Sequence, residues 1–460
     1  MKRIVKVAFL VMTAFAFLLS GCTPSVTAVV TPAPVQPTQP PTEQPTQMPA
    51  EKATITLWLQ SDDLGTFVVE NIVAPFNSQS TTTTVEVTLQ ANRWDAIRTA
   101  LAGGAGPDLI GTPGPSFAVQ LARAGYLLPL DEVAQTNGWS NTFVPWALDL
   151  GMVDGKLYST PMEVETLVLY YNKTLFEANG WQPPTTMDEL FTLCGQIKAA
   201  GIVPFAHANA EYRGADEWYV TEFLNHVAGP DRIYQALTGQ IRWDDPAIVE
   251  AIDKLNTVQQ NGWFMGGLDR YYTLTFAERD EAFASGTAAM NIEGTWFTGS
   301  ALSIFGEANN NVNDWDWVPV PSMTGDPIFD LGIGGSMSIN KLSANPDAAA
   351  EFMTYYYSPE VQASLLSAGF NAAPIKISSS VLTGIDSRYA AIIEALSQAS
   401  QAGSYGYTSW TFWPPKSEAY LLDVEKVWSG EITSTEFLQG LQTQFDEEKA
   451  AGELLPIPVR

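Results

Sequence analysis

"ATITLWLQ" (residues 53–60) places Ile55, Leu57 and Leu59 on one side of an extended chain, the period-two pattern of a half-buried strand. After the turn residues Ser61-Asp62-Asp63 a helical stretch runs to about Phe76, and "TVEVTLQ" (84–90) alternates again at Val85, Val87 and Leu89. "NRWDAIRTALAGG" (92–104) has the pattern of an amphipathic helix closing on Gly103-Gly104, and "PDLIG" (107–111) is a third short apolar run. Strand, helix, strand, helix, strand predicts a parallel sheet of the α/β class. Such sheets bind ligands beyond the carboxyl ends of their strands, near topological switch points. The loops after Gln60 and after Gly111 are therefore candidate ligand loops.

A second α/β unit follows. "ETLVLYYNK" (165–173) is strand-like, and "PPTTMDELFTLCGQIKAAG" (183–201) carries Pro184 ahead of a helix, Thr186 and Glu189 at capping-box spacing, and Gly201 beyond its end. "NPDAAAEFMTYYY" (345–357) and "SPEVQASLLSAG" (358–369) are two helices, each with an N-cap residue and proline at the first position. The glycine-rich "LGIGGSMSIN" (331–340) lacks dinucleotide-fingerprint spacing and is expected to be a close-packed turn into a strand over Ser336–Asn340.

Ahead of the fold, Lys2, Arg3 and Lys6 precede an apolar run from Val7 to Leu19, the form of a signal peptide over residues 1–21. The run is shorter than the ~20 residues a spanning helix needs. It stops in Leu19-Ser20-Gly21-Cys22, which resembles the lipobox of bacterial lipoproteins and implies lipid on Cys22. Residues 22–52, rich in Pro, Thr and Gln, are expected to be an extended tether at ~3.1 Å per residue. The other cysteine, Cys194, shares a helix face with Leu190, Leu193 and Ile197 and is expected in the core, so no intramolecular disulfide is expected.

The chain is long enough for two cores. Its 50 acidic against 23 basic residues give a net charge of -27, which argues against nucleic acid as partner because phosphate contacts need clustered Lys and Arg. Membrane attachment is expected through the lipid alone. Catalytic signatures are sparse: His207 and His226 lie outside any HExxH setting, and no GxSxG or GxxxxGK[ST] occurs. Neither a metal nor a cofactor is expected. The 14 tryptophans are more informative, because Trp58, Trp218, Trp296, Trp410 and Trp413 sit in loop-like contexts beside polar residues. Indoles stack on sugar C–H faces while carboxylates and amides take the hydroxyls.

The series "ITLWLQ", "GGAGPDLIGTPGPSFAVQLARAGYLLPLDE" (103–132), "GKLYSTPMEVETLVLYYNKTLFEANG" (155–180), "PTTMDEL", "FASGTAAMNIEGTW" (283–296) and "GGSMSINKLSANPDAAAEFMTYYYSPEVQ" (334–362) is similar to the solute-binding proteins of bacterial ABC sugar importers, the group that includes the maltose-binding protein. The resemblance implies a two-lobed periplasmic-binding-protein-like fold of the class II type, with the ligand cleft between lobes joined by a multi-segment hinge. By analogy residues 53–162 with 320–371 form the first lobe and 163–319 with 372–460 the second. Crossings fall near 161–164, 318–322 and 369–374.

The same likeness makes Glu165 a cleft carboxylate and Trp296 a stacking platform. It places Gln60, Asp62 and Asp63 in a ligand loop, with Thr112 and Ser116 where a relative has an aromatic and an acid. It gives Trp413 a late cleft position by region, with Tyr212 and Trp218 as weaker members of the set. The function implied is that of a monomeric, non-catalytic, lipid-anchored subunit on the outer face of a bacterial membrane, handing a sugar or oligosaccharide to a permease. The alternatives are a surface-anchored glycoside hydrolase, which needs only two suitably spaced carboxylates, and the same fold binding a polyamine or peptide.

Overall fold

A computed structural model describes residues 51–210, 214–375 and 384–459. The expected signal peptide, Cys22, the tether and Tyr212 lie outside them. Residues 51–460 form one compact unit. Among the described residues, no helix is long and apolar enough to cross a membrane.

The alternation at Ile55, Leu57 and Leu59 becomes β1 (Ala53–Gln60), which pairs in parallel with β2 (Thr83–Gln90) and β3 (Leu109–Thr112). The helices Asp63–Val68 and Arg93–Ala102 occupy the two crossovers. After the short hairpin β4 (Met152–Val153) and β5 (Lys156–Leu157), β6 (Thr160–Glu165) completes the chain's first contribution to this sheet. The next strand, β7 (Leu167–Asn172), begins two residues later in a second sheet with β8 (Val203–Phe205), β9 (Ala288–Gly294) and β10 (Trp315–Val318). Every residue of β7 and β9 is buried, as expected for central strands covered on both faces.

The strand β11 (Phe329–Ile339) returns to the first sheet. Phe329–Leu331 pairs with β12 (Tyr405–Tyr407), the middle of β11 pairs with β6, and Ser336–Ile339 runs antiparallel to β3. Two findings correct the expectations above. The first sheet is mixed, because β6 and β11 join it antiparallel to each other and β11 lies antiparallel to β3. The glycine run is the interior of one continuous strand with register shifts at Ile333 to Ser336, not a turn leading into it.

Among the described residues, the two largest bodies of packed side chains centre on the two main sheets. Ile55, Leu57, Leu109, Met337, Ile339 and Phe352 belong to one, and Val168, Tyr170, Ile252, Ile292, Leu331 and Trp413 to the other. The strand β11 enters both, with Leu331 and Ile333 in the second and Met337 and Ile339 in the first. The helix Met187–Ala199 has the expected capping box at Thr186 and Glu189, and Leu190, Leu193, Cys194 and Ile197 are all buried. Cys194 is a free thiol, which burial pushes well above its ordinary pKa. The helices Pro346–Tyr356 and Pro359–Ser367 both start on proline.

Candidate functional site

Residues Glu163 and Glu165 are two apart on β6 and so project to the same side of the sheet. They lie over Gly332, Gly334 and Gly335 of β11. A Cβ at Gly334 would overlap the Glu165 carboxyl, and one at Gly335 would lie 2.8 Å from Glu163 Oε1. The glycines leave a floor on which two carboxyls can rest. Glu165 is 3 % exposed. The Trp410 indole nitrogen donates to its Oε1 at 2.7 Å, and Asn371 Nδ2 donates to its Oε2 at 3.4 Å.

The indoles gather on the other side of Glu165. Trp296 and Trp218 have ring centroids 5.2 Å apart, and Trp296 meets Trp410 edge-on at 6.2 Å. Trp296 Nε1 donates to Glu293 Oε1 at 2.8 Å, and the other oxygen of Glu293 takes Arg279 Nη1 at 2.7 Å. The short helix Ser409–Phe412 that carries Trp410 is fixed to β11: Thr408 Oγ1 donates to the Leu331 carbonyl at 2.7 Å, and Thr411 Oγ1 accepts from Ile333 N at 2.9 Å. Ser409 Oγ donates to Glu217 Oε1 at 2.6 Å.

Toward the first sheet lie Gln60, Asp62 and Arg93. Gln60 at the end of β1 donates through Nε2 to the Ala91 carbonyl and accepts from Arg93 N at 3.3 Å. Asp62 Oδ1 accepts from Gly65 N at 2.7 Å and caps the helix Asp63–Val68. The Arg93 guanidinium, whose pKa burial lowers, is held by the charges of Asp62 and Glu163.

The charge balance of the site is unfavourable to bare carboxylates. Burial raises the pKa of Glu163 against the pull of Arg93 and Asn371, and raises that of Glu165 much further, with Glu163 and Glu217 adding to the shift. Glu418 is raised as well, by burial and then by Glu217, while the nearby Ser116 hydroxyl works the other way. A string of acids at the meeting of the two sheets therefore gains from groups that donate hydrogen bonds without demanding full ionisation. Hydroxyls supply such donors.

The structure thus brings Glu165, Trp218 and Trp296 into one cluster, with Gln60 and Asp62 at its edge beside Arg93. Ser116 is buried beside Glu418. Thr112 is buried and donates to the Gly114 carbonyl at 3.0 Å, so its hydroxyl is already used in the loop. Asp63 is an exposed first-turn residue of its helix. Trp413 is not brought to the cluster: it is wholly buried against Trp243, with ring centroids 5.4 Å apart. Trp410, three residues earlier, faces Glu165 instead. Sequence reasoning gave Arg93 only to an amphipathic helix, and it gave Glu217 and Asn371 no role.

The sequence profile of the bacterial extracellular solute-binding proteins matches residues 61–363. The chain belongs to this family. Among relatives, it is 24 % identical over 250 residues to the multiple sugar-binding protein of Streptococcus mutans, covering 53 % of this chain and 58 % of that one. It is 28 % identical over 174 residues to the diacetylchitobiose binding protein of Streptomyces coelicolor, covering 36 % of each. The first-matched relatives are aligned over about half of their length, 46 % and 47 %. Among solved structures, a chitin oligosaccharide binding protein superposes with a TM-score of 0.72 at 22 % identity, over 87 % of this chain and 99 % of that one. A raffinose-bound solute-binding protein gives 0.64 at 19 % identity, over 86 % and 100 %. These likenesses establish the two-lobed fold of the class II solute-binding proteins, and the relatives matched are named as binding proteins rather than enzymes.

Proposed function

We propose that the chain is the substrate-binding component of an ABC importer and takes a sugar or oligosaccharide between its lobes, without catalysis. The observation that carries this reading is the cluster of Trp218, Trp296 and Trp410 around Glu165, at the place where β6 and β11 link the two sheets. Flat faces beside carboxyls and amides match a ring with apolar faces and equatorial hydroxyls. The same reading takes lobe limits of 53–162 with 320–371 and 163–319 with 372–460, a monomeric state, lipid on Cys22 at the outer face of the membrane, and a permease as the receiver of ligand. Of the positions expected from sequence, Gln60, Asp62, Glu165, Trp218 and Trp296 would bind directly. Trp410 takes the role expected of Trp413.

The test is a thermal-shift screen of the full chain, purified in detergent, against mono- and oligosaccharides, polyamines and short peptides. A ligand at 100 times its Kd stabilises by ~2.7 kcal/mol. The expected result is a shift with one sugar class, intact sugar after incubation, and at least a tenfold loss of affinity in Trp296→Ala. A shift with polyamines or peptides alone would overturn the sugar assignment, and release of reducing sugar would overturn the non-catalytic one.

A further inference from the structure

Away from the indole cluster, three side chains meet in a way that the sugar reading does not use. His226 Nε2 lies 3.1 Å from Glu222 Oε2 and 3.8 Å from Asp330 Oδ1. One donor atom from each residue falls within 4.8 Å of the other two. Glu222, His226 and Asp330 are 0 %, 2 % and 1 % exposed. Among the described residues, His226 is the one basic group at ion-pair distance from either acid. Two carboxyls and a single imidazole nitrogen, each richer in lone pairs than in protons, are thus pointed at one another out of water.

The surroundings hold these atoms in place. Asn225 Nδ2 donates to Asp330 Oδ2 at 2.9 Å, and Asn225 Oδ1 accepts from Tyr407 N at 3.1 Å. The backbone of Val320 and Pro321 lies close to the imidazole. Nε2 is the ring nitrogen that faces the two carboxyls, so a proton on Nδ1 would leave its lone pair free for a metal ion, the tautomer of a metal-bound histidine. The backbone of β12 closes over the group at Gly406, where a Cβ would overlap Asp330 Oδ1. The helix changes to π form over Leu224–Ala228, so that His226 sits within a π segment of the kind that often marks functional sites. His226 also borders a cavity of about 850 Å³ with Gly229, Trp317, Ser322, Met323 and Phe329.

We propose that Glu222, His226 and Asp330 bind one divalent transition-metal cation, with Zn2+ the best match, and that this ion ties β11 to the helix of the second core. Bonds of about 2.0–2.2 Å to one imidazole and two carboxylates put donor atoms roughly 3–3.5 Å apart in a tetrahedral site, and the two separations from His226 Nε2, 3.1 and 3.8 Å, lie near that range. Ca2+ takes six to eight oxygens and Mg2+ an octahedron rich in water, and this set offers neither. A divalent charge also neutralises two buried carboxylates, which protons could do only by removing them as ligands. Asp330 lies on the strand that links the two sheets, so the ion would set the stiffness of that link.

The test uses the full chain in detergent at pH 7.5, stripped with a chelator and then titrated with ZnCl2 against a chromophoric chelator. One equivalent bound with submicromolar Kd, a higher Tm than in chelator, and at least a hundredfold weaker binding in His226→Gln and Asp330→Asn are expected. Zinc-edge X-ray absorption on the unsubstituted protein should show one imidazole nitrogen among oxygen ligands, and this arm stands even if the variants fail to fold. The absence of stoichiometric binding at 100 µM Zn2+, undiminished binding by His226→Gln, or a spectrum without imidazole would overturn the proposal. None of these outcomes bears on sugar binding.

Discussion

His207 shows how far burial can move one side chain. It is 2 % exposed, stacked on Tyr271 with ring centroids 4.2 Å apart and packed edge-on to Phe264 at 5.3 Å. Burial pushes its pKa down to about 3 from 6.5, opposed by the nearby Tyr271 backbone and helped by the Arg279 charge. Between those two values the unfolded chain binds the extra proton and the folded chain does not, so stability rises with pH there. The contribution is complete above pH 6.5 and is lost as the pH falls toward 3. At pH 5 the loss is about 2 kcal/mol, and any folded pKa below 4 gives nearly the same figure. His207→Phe should keep the stacking and flatten the acid limb of a plot of urea midpoint against pH. An acid limb parallel to that of the parent would show that His207 titrates normally. The sequence offered no means of seeing this, since a histidine in "PFAHANA" carries no sign of the ring beneath it. The positions of Glu165 at the end of β6 and of Trp296 two residues beyond β9 were legible because the surrounding motifs fix those strands. Trp410 and Trp413 were not separable, because a short helix within "SWTFWPP" decides which indole turns inward, and its orientation depends on tertiary bonds from Thr408 and Thr411 to β11.

At the scale of elements, capping was legible and the glycine strand was not. Thr186 Oγ1 accepts from Glu189 N at 3.2 Å, and Glu189 Oε2 accepts from Thr186 N at 3.2 Å and Thr185 N at 2.8 Å. This reciprocity uses residues three apart, so spacing alone revealed it. Thr186→Ala should cost about 1 kcal/mol by chemical denaturation, with an unchanged m-value. Glycine weakens a strand when only local propensity counts, which is why Gly332 to Gly335 suggested a turn. What holds β11 extended is pairing to β6 on one side and the room needed by two carboxyls on its face. Gly334→Ala should therefore destabilise by ~1–3 kcal/mol through overpacking against Glu165. Gly195 inside the helix Met187–Ala199 has open space around a would-be Cβ, and Gly195→Ala should stabilise by ~0.5–1 kcal/mol. Equal effects at the two positions would mean that the glycine floor has slack.

At the scale of the molecule, the order of strands and helices was legible up to β3, and the family resemblance supplied the two lobes. The return of β11, antiparallel and shared between both cores, depends on pairing partners more than a hundred residues away and has no local signature. That shared strand bears on how the protein would respond to a sugar. The two largest bodies of packed side chains meet along β11, so on the proposed reading β11 and the Glu165–Leu167 passage are where a change between lobes would be absorbed. On the proposed reading, contacts to a ligand from Trp296 on one side and from Gln60 and Asp62 on the other would be complete only when the lobes are near each other. A ligand shifts the open and closed populations only by its difference in affinity for the two forms. Moving a 1:99 mixture to 99:1 takes about 5.5 kcal/mol of that difference. Small-angle scattering should therefore show a smaller radius of gyration with saturating sugar. Trp296→Ala, having lost part of the closed-state contact, should need more sugar to reach the same radius. A radius that stays constant while sugar is demonstrably bound would mean that the ligand is held within a single lobe, and the site would then have to be sought away from the meeting of β6 and β11.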